Sequence, residues 1–230
     1  MQNILVTGSS KGIGQAIAIA LAADKTHLFI HGRDKKALDE TENLVKDKGS
    51  SCSQIIADIS TTSGCNKLIE AVGQETLTVL VNNAAVGIVK PVDELTLDDW
   101  NRTIAVNVTA PFILTKELLP QMKKGSSIVN ILSTAAKNAF SGWSSYCMSK
   151  FALRGFSETL REELRPRGIR VIAVYPGAVD TSIWDSVPGD WPREKMMQAE
   201  EVAQAVAFAV SCPPDVLIED ITMGNLAGSL

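Results

Sequence analysis

Three side chains in the middle of the sequence have types and a spacing suited to proton transfer. Tyr146 and Lys150 are four positions apart in a stretch with helical character, so their side chains share one face of the expected helix. A free tyrosine has a pKa of about 10, and a nearby ammonium is expected to lower that value towards the working range. Ser133 follows an apolar run and can donate a hydrogen bond to a substrate oxygen that gains negative charge. Together these residues indicate acid–base chemistry at a carbonyl or hydroxyl oxygen.

Each of these residues also has a purely structural interpretation. A tyrosine four residues before a lysine is often half-buried beside a solvated side chain, and a serine after a strand is often a cap or turn residue. Asn107, which lies among apolar residues, can simply satisfy a buried backbone group. The catalytic interpretation therefore depends on finding these residues together with a nucleotide-binding turn.

A glycine-rich turn near the N-terminus supplies that second signal. The first apolar run leads into Thr7-Gly8-Ser9-Ser10-Lys11-Gly12-Ile13-Gly14, and a helical pattern follows. Glycines permit a tight turn, a close approach of the backbone to a pyrophosphate, and packing of the helix on the strand. The helix N-terminus presents N–H groups and a positive dipole end to phosphates. We predict that a dinucleotide is bound by Gly8, Ser9, Ser10, Lys11, Gly12, Ile13 and Gly14.

Short apolar runs alternate with helical stretches along the whole chain. The runs are continuous, as expected for parallel strands covered on both faces. They are Ile4–Val6, Leu28–Ile30, Ile55–Ala57, Val79–Val81, Ile128–Leu132, Val171–Val174 and Val216–Ile218. This pattern predicts an α/β fold with a Rossmann-type doubly wound parallel sheet of about seven strands and helices on both faces. Because no repeat or linker interrupts it, we predict a single domain over residues 1–230.

One long segment, residues 177–198, has no clear period. It contains Trp184 and Trp191, and Met196 and Met197 lie near its end. A loop of this length inside a compact domain is usually functional. We predict a substrate lid whose aromatic and methionine side chains form an apolar pocket wall, which would favour apolar or aromatic carbonyls and order when cofactor binds. The alternative is that these side chains only anchor the loop.

Composition argues against several other classes of protein. The net charge of −4 without a run of Lys or Arg argues against a nucleic-acid surface or a polybasic membrane anchor. The N-terminus enters a strand without the features of a signal peptide, and no apolar run is long enough to cross a bilayer. The four cysteines include no CxxC pair, and the two histidines lie near none of them. We therefore expect a cytoplasmic protein with no metal site, nucleic-acid partner or membrane association.

The order and context of these motifs resemble the short-chain dehydrogenase/reductase family. The glycines follow TGxxxGxG rather than GxGxxG, and Tyr146 and Lys150 form a YxxxK pair. The other matching segments, in chain order, are Asn82-Asn83-Ala84-Ala85, Asn107, Ser133 and Pro176-Gly177. The resemblance covers essentially the whole chain. Ala85 stands where the family usually has glycine, which adds a methyl group but removes no chemical group.

The resemblance implies a role for each matching residue. Tyr146 would be the catalytic acid/base, Lys150 would also bind the nicotinamide ribose, and Asn107 would support a proton relay through water to Lys150. The nicotinamide C4 would carry the hydride. The remaining cofactor contacts implied are Asp58 and Ile59 at the adenine, Val179 and Thr181 near the carboxamide, and Asn83, Ala84, Pro176 and Gly177.

The choice of cofactor depends on residues at the end of the second apolar run. Asp34 lies about 20 positions past the glycines, where an acidic residue usually holds the ribose 2′-hydroxyl of NAD. By resemblance, however, the discriminating position lies one or two residues earlier, at Gly32 or Arg33. A guanidinium suits a 2′-phosphate, and Lys11 adds a second cation. We predict NADP(H) rather than NAD(H), with Asp34 as the cap of the next helix.

The function predicted from these signals is hydride transfer between NADP(H) and a ketone, aldehyde or secondary alcohol. The alternative within enzymes is reduction of a 3-oxoacyl carrier protein, although the segment 218–224 lacks that branch's Thr-Gly-Gln and Asp-Gly-Gly pattern. The alternative from another class is a catalytically silent NADP-binding regulator. The resemblance also implies a homodimer or homotetramer. The helical spacing of Ala152, Leu153, Phe156 and Leu160 fits burial against either the sheet or a partner.

Overall fold

Seven parallel strands form the centre of the molecule. The computed structural model describes residues 1–226. The strands are β1 (Gln2–Val6), β2 (Thr26–Gly32), β3 (Ser51–Ile56), β4 (Leu77–Asn82), β5 (Ser127–Ile131), β6 (Arg170–Pro176) and β7 (Asp220–Met223). Their order across the sheet is β3-β2-β1-β4-β5-β6-β7, and every neighbouring pair is parallel. The strand order reverses between β1 and β4, which confirms the predicted doubly wound, Rossmann-type sheet.

Helices connect the strands and cover both faces of the sheet. They are α1 (Gly12–Leu21), α2 (Lys35–Lys46), α3 (Thr62–Val72), α4 (Leu97–Ile104), α5 (Ala110–Leu118), α6 (Ser144–Leu164) and α7 (Ala199–Ser211). A π-helical turn over Ala105–Thr109 joins α4 to α5. Among the described residues, no helix is both long and apolar enough to cross a membrane.

The two faces of the sheet build two separate apolar cores. In β1, Ile4 and Val6 point into the core that contains α1, α2 and α7, whereas Leu5 points into the core that contains α3, α5 and α6. Alternation along a strand places successive side chains on opposite faces. Because both faces are covered, β6 is buried at every position. This burial explains the continuous apolar runs in the sequence.

The predicted bounds are wrong for the two edge strands. The seventh strand lies at Asp220–Met223 rather than Val216–Ile218, and the third begins at Ser51, well before Ile55. Leu217 and Ile218 pack against a core without pairing in the ladder. An edge strand has one neighbour and a more open environment, so it tolerates polar residues that an apolar-run search misses.

The segment over residues 177–198 is irregular, as predicted, but its two ends are tied together. Val179 and Met197 form a parallel bridge, in which the Met197 N–H donates to the Ala178 carbonyl (3.0 Å) and the Asp180 N–H donates to the Met197 carbonyl (2.8 Å). Between these ends lie two short 3-10 turns, Ser182–Ser186 and Arg193–Lys195. The segment therefore forms a loop that leaves and rejoins the domain at one place.

Candidate active site

A cleft of about 490 Å³ lies at the edge of the sheet where the strands end. The loops that follow β1 to β6 line it, because the carboxyl ends of parallel strands all meet at the same edge. Such crevices at the point where strand order reverses are the usual ligand sites of open α/β sheets. The lining residues divide into a charged end, a glycine turn, a Ser-Tyr-Lys group and an aromatic end.

The glycine turn between β1 and α1 forms the floor of the cleft. A Cβ atom on Gly14 would lie 2.2 Å from the Gly8 carbonyl oxygen, so only glycine lets α1 begin this close to the turn. The Asn83 side-chain amide braces the turn by donating to the carbonyls of Thr7 (2.9 Å) and Gly8 (3.1 Å). The loop after β4 therefore holds the turn in place, and Asn83 acts through the backbone of the turn.

Three cationic side chains lie at one end of the cleft. Lys11 is in the glycine turn, Arg33 follows β2, and Arg102 comes from α4. None of them forms a salt bridge within residues 1–226, so their charges are available to a ligand. Hydrogen bonds from Ser60 lower the pKa of Asp58, and Arg102 and Arg33 lower it further. This end of the cleft is suited to an anionic group.

The Ser-Tyr-Lys group lies beyond the ends of β5 and β6. Tyr146 and Lys150 share a face of α6, and Ser133 lies in the turn after β5. The Ser133 hydroxyl hydrogen-bonds with the Tyr146 phenol, which favours the phenolate and lowers the pKa of Tyr146. The Lys150 ammonium donates to the Ile131 carbonyl oxygen (2.8 Å) and lies 5.5 Å from the centre of the Tyr146 ring.

The pKa shifts in this group differ from the expectation that Lys150 lowers the pKa of Tyr146. Burial raises the pKa of the Tyr146 phenol to about 12, and the hydrogen bond from Ser133 offsets only part of this effect. Burial also lowers the pKa of Lys150 to about 7. Desolvation disfavours the charged form of both groups, so it outweighs their mutual attraction here. Tyr146 is therefore a protonated phenol at neutral pH, able to donate a proton.

Asn107 lies beside this group but not on the cleft. Its side chain is buried in the π-helical turn Ala105–Thr109, where it accepts from the Val86 N–H (2.8 Å) and donates to the Val86 carbonyl (2.9 Å). It also donates to the Ser149 hydroxyl (3.0 Å). Asn107 thus connects α6 to the loop after β4, and Val86 in that loop lines the cleft.

The end of the cleft nearest Tyr146 is aromatic. Trp143 packs edge-on against Tyr146, with 5.3 Å between ring centres, and Trp184 lies 5.9 Å from Trp143. Trp191 continues the group at 4.9 Å from Trp184. Phe140 lines the same cleft. The aromatic group thus connects the lid segment to the proposed proton donor.

Three charged side chains of the lid pair with one another. The Arg193 guanidinium donates to the carboxylates of Asp180 (2.5 Å) and Asp185 (3.1 Å) and to the Thr181 carbonyl (3.0 Å). None of Asp180, Asp185 and Arg193 lines the cleft. The lid therefore presents Trp184 and Trp191 to the cleft, while these three charged side chains pair outside it.

Comparison with known proteins agrees with this architecture. The family model for short chain dehydrogenases matches residues 2–190. A sepiapterin reductase from Chlorobaculum tepidum is 34% identical over 240 residues, which cover 99% of this chain and 97% of the relative. An alcohol dehydrogenase from Thermococcus sibiricus, solved with 5-hydroxy-NADP, superposes with a TM-score of 0.89 at 26% identity and covers 100% of this chain and 99% of that one. A short chain dehydrogenase from Burkholderia cenocepacia, solved with NADP, has a TM-score of 0.86 and 32% identity over 97% of this chain and 96% of that one.

The chain belongs to the short-chain dehydrogenase/reductase family. As expected of an oxidoreductase of this family, its Ser-Tyr-Lys group and its glycine turn open into one cleft. No cluster of three or more His, Cys, Asp or Glu side chains suited to a metal occurs in the part of the chain that the structure describes.

Most of the predicted site residues of this short-chain dehydrogenase line the cleft. They are Gly8, Ser10, Lys11, Gly12, Ile13, Gly14, Arg33, Asp58, Ile59, Asn83, Ala84, Ser133, Tyr146, Lys150, Pro176, Gly177, Val179 and Thr181. Ser9 does not. It is fully buried, and its hydroxyl donates to the Val6 carbonyl (3.0 Å) and accepts from the His31 N–H (2.9 Å), so its side chain holds the turn instead of facing a ligand.

One prediction about the lid also needs correction. Met196 and Met197 do not form a pocket wall, because both are buried away from the cleft and Met197 packs into the core of α1 and α7. Conversely, sequence reasoning missed His31, Arg102 and Trp143, which do line the cleft. Trp143, only three residues before Tyr146, was open to prediction from its position in the chain.

Proposed function

We propose that this protein is an NADP(H)-dependent oxidoreductase that reduces a carbonyl, or oxidises the corresponding secondary alcohol, with Tyr146 as the acid/base. The observation that carries the proposal is the single cleft, which has unpaired cations at one end and the Ser-Tyr-Lys group at the other. In NADP(H) the nicotinamide ring and the 2′-phosphate on the adenosine ribose lie at opposite ends, with the pyrophosphate between them, so this distribution of residues fits the dinucleotide. When bound, NADPH supplies a hydride from C4 of its nicotinamide ring.

The chain's own residues would complete the reaction. Ser133 hydrogen-bonds the carbonyl oxygen of the substrate and orients it towards Tyr146. Tyr146, which is protonated at neutral pH, donates its phenolic proton to that oxygen as negative charge develops there. Lys150 holds the nicotinamide ribose and takes part in returning a proton to the phenolate. Asn107 would support a proton relay through water to Lys150, because its two bonds to Val86 fix the loop beside this group.

The preference for NADP over NAD is supported by what Asp34 does in the fold. Its carboxylate caps α2 by accepting from the backbone N–H groups of Lys36 (2.9 Å) and Ala37 (3.3 Å). Asp34 also does not line the cleft, which argues against a bond from its carboxylate to a ribose hydroxyl. The neighbouring Arg33, together with Lys11 and Arg102, offers positive charge to a 2′-phosphate.

The substrate class is suggested by the aromatic end of the cleft. Trp143, Trp184 and Trp191 are the largest side chains there. The charged lining residues belong to the cation-rich end, except Lys150, which belongs to the Ser-Tyr-Lys group. Apolar walls favour flat, neutral molecules and exclude free carboxylates, whose charge would lose water without gaining a partner. We therefore propose apolar or aromatic carbonyls as substrates, with residues 177–198 as a lid that orders when cofactor binds.

Self-association is proposed for the outer faces of α5 and α6. Phe112 and Phe151 are about half exposed, and Phe112 contacts Phe156 at 6.1 Å between ring centres. Of the helical stripe noted in the sequence, Leu153 and Leu160 are buried in the core, whereas Phe156 is partly buried and Ala152 is exposed. The two exposed phenylalanines extend that stripe outwards, which supports a homodimer or homotetramer.

We also propose a cytoplasmic location, because the four cysteines are unpaired, as expected in a reducing compartment.

Replacing Tyr146 with phenylalanine tests the acid/base. Tyr146→Phe keeps the ring and its contact with Trp143 but removes the proton donor, so turnover should fall by a factor on the order of 100 to 10,000. Affinity for NADPH, measured by fluorescence titration, should change little. Near-normal turnover in a folded variant would remove Tyr146 from the mechanism, whereas wild-type protein that binds NADPH but reduces no member of a carbonyl panel would favour a silent regulator. A 3-oxoacyl thioester in the panel tests the carrier-protein alternative.

Removing the Arg33 guanidinium tests the choice of cofactor. Arg33→Ala should weaken NADPH binding about 10-fold to 100-fold, because a charge-assisted hydrogen bond contributes about 1.5–3 kcal/mol. NADH binding should change by less than about twofold. Arg167→Ala is the matched control, since it removes the same charge from an exposed side chain outside the cleft. Equal losses for both nucleotides, or a wild-type preference for NADH, would contradict the assignment.

The substrate class is tested with two matched ketones, methyl 4-acetylbenzoate and 4-acetylbenzoate, which differ mainly in charge. The neutral ester should have the higher kcat/KM. Trp184→Ala should raise its KM about 3-fold to 10-fold with a smaller change in kcat, because an aromatic contact contributes about 0.5–1.5 kcal/mol to binding. The control is Trp100→Ala, because the fourth tryptophan lies on α4 outside the cleft; this variant should change neither KM nor kcat. A preference for the carboxylate would contradict the proposal.

Assembly is tested by light scattering at micromolar concentration. The wild-type protein should have the mass of a dimer or tetramer, and the double variant Phe112→Ser, Phe151→Ser should shift towards the monomer because it removes the exposed apolar surface. Leu44→Ser, at a similarly exposed position on α2, is the control and should leave the mass unchanged. A wild-type monomer would contradict the proposed assembly.

A further inference from the structure

The His31 imidazole lies beneath the glycine turn and has no part in the chemistry described so far. It is 3% exposed, near the end of β2, between the glycine turn and the loop that follows β3. Its Nδ1 atom accepts a hydrogen bond from the Gly8 N–H (3.1 Å), and its Nε2 atom lies 3.2 Å from the Ala57 carbonyl oxygen. One ring therefore connects two loops of the cleft.

These two partners define where the ring carries its proton. A backbone N–H can only donate, so Nδ1 must present a lone pair to Gly8, and the proton lies on Nε2, where it is donated to Ala57. Burial lowers the pKa of His31 to about 4, while the charges of Asp58 and Arg33 act on it in opposite directions. The ring is thus neutral, in one tautomer, at physiological pH.

Gly8 is a sensitive point in the cleft for such a contact. It has a φ of +64°, its carbonyl oxygen lies where a Cβ atom on Gly14 would clash, and a Cβ atom on Gly8 itself would lie 2.8 Å from the Cα atom of Ala84. A shift of Gly8 would therefore move the start of α1 and the loop after β4 together. Ala57 immediately precedes Asp58 and Ile59, which line the charged end of the same cleft.

We propose that His31 is a positioning residue for nucleotide binding, in which its Nδ1 acceptor fixes the phosphate-binding turn relative to the loop that receives the adenine. This inference rests on the proposed binding of NADP(H). His31 does not need to touch the ligand, because it acts through the Gly8 and Ala57 backbones. Backbone bonds tie each loop to the end of β2, from the Ser9 N–H to the His31 carbonyl (2.8 Å) and from the Ala57 N–H to the Gly32 carbonyl (3.1 Å). Within residues 1–226, it is the His31 ring that joins Gly8 to Ala57 directly.

Two substitutions separate the two bonds of the ring. Asparagine places an amide oxygen near the position of Nδ1, so His31→Asn retains an acceptor for Gly8 but loses the donor to Ala57. Glutamine places an amide nitrogen near the position of Nε2, so His31→Gln retains the donor and leaves the partly buried Gly8 N–H without its acceptor. An unpaired buried N–H is tolerated less well than an under-satisfied carbonyl. The proposal therefore predicts a larger effect for glutamine than for asparagine.

The experiment begins with the ligand-free wild-type protein. Long-range ¹H–¹⁵N correlation spectra should show a single neutral tautomer of His31, protonated at Nε2, between pH 5.5 and 8. A ring protonated at Nδ1, or one that titrates near the free-histidine pKa of about 6.5, would overturn the proposal, because Gly8 would then have no acceptor.

The second measurement is the Kd of NADP⁺ at pH 7.5 by calorimetry. His31→Gln should weaken binding on the order of tenfold, and His31→Asn by no more than about threefold. At saturating NADPH, kcat in both variants should stay near the wild-type value, so the loss appears in the KM for NADPH. His27→Gln and His27→Asn, on the same strand, are the controls, because His27 bonds with the hydroxyls of Ser51 and Ser53, packs against Phe29 and does not line the cleft.

The possible outcomes separate this inference from the proposed function. Wild-type protein that binds neither NADP⁺ nor NAD⁺ would overturn both. Normal wild-type binding, with equal Kd values in the Asn and Gln variants, would overturn the positioning role alone. A loss of thermal stability in the Gln variant without a change in Kd would likewise reduce His31 to a core residue.

Discussion

The parallel alignment of the strands is the constraint on which the rest of this structure depends. Because each strand pairs in parallel with its neighbours, the chain must return across a face of the sheet after every strand, and all strands end at one edge. Residues as distant in sequence as Lys11, Tyr146 and Trp191 therefore meet in a single cleft. The reversal of strand order between β1 and β4 opens the space that they share.

Within that space, desolvation has a larger influence than direct charge pairing. Burial holds Tyr146 in its protonated form and weakens the hold of Lys150 on its proton, although the two side chains lie on one helix face. The same effect keeps His31 neutral beneath the glycine turn. Charge is concentrated instead at the end formed by the loops after β1, β2 and β3, with Arg102 from α4. The cleft thus has a charged end and an aromatic end that are formed by different loops.

Local sequence signals were sufficient for the fold and for most of the candidate site. Central strands are buried on both faces, so their apolar runs were visible, whereas the edge strands β3 and β7 contain polar residues and were misplaced. Ser9 lies in the glycine turn, yet its hydroxyl bonds with the backbones of Val6 and His31, and the motif does not indicate these bonds. Arg102 reaches the cleft only because α4 packs beside it, which depends on tertiary structure. Met197 was misassigned since pocket and core methionines look alike in a sequence.

The closed base of the lid segment has a consequence for how this scaffold can change. The bridge between Val179 and Met197 holds the two ends of the segment together, so the residues between them form a closed loop whose side chains, such as Trp184 against Trp143, contact the cleft. Lengthening such a closed loop costs little, since the entropy of closure grows only with the logarithm of its length. Insertions or replacements between the two ends can therefore alter the shape of the cavity roof while β6 and α7 keep their places. Substrate selectivity can thus change by replacement of this one segment, while the Ser-Tyr-Lys group and the glycine turn stay unchanged.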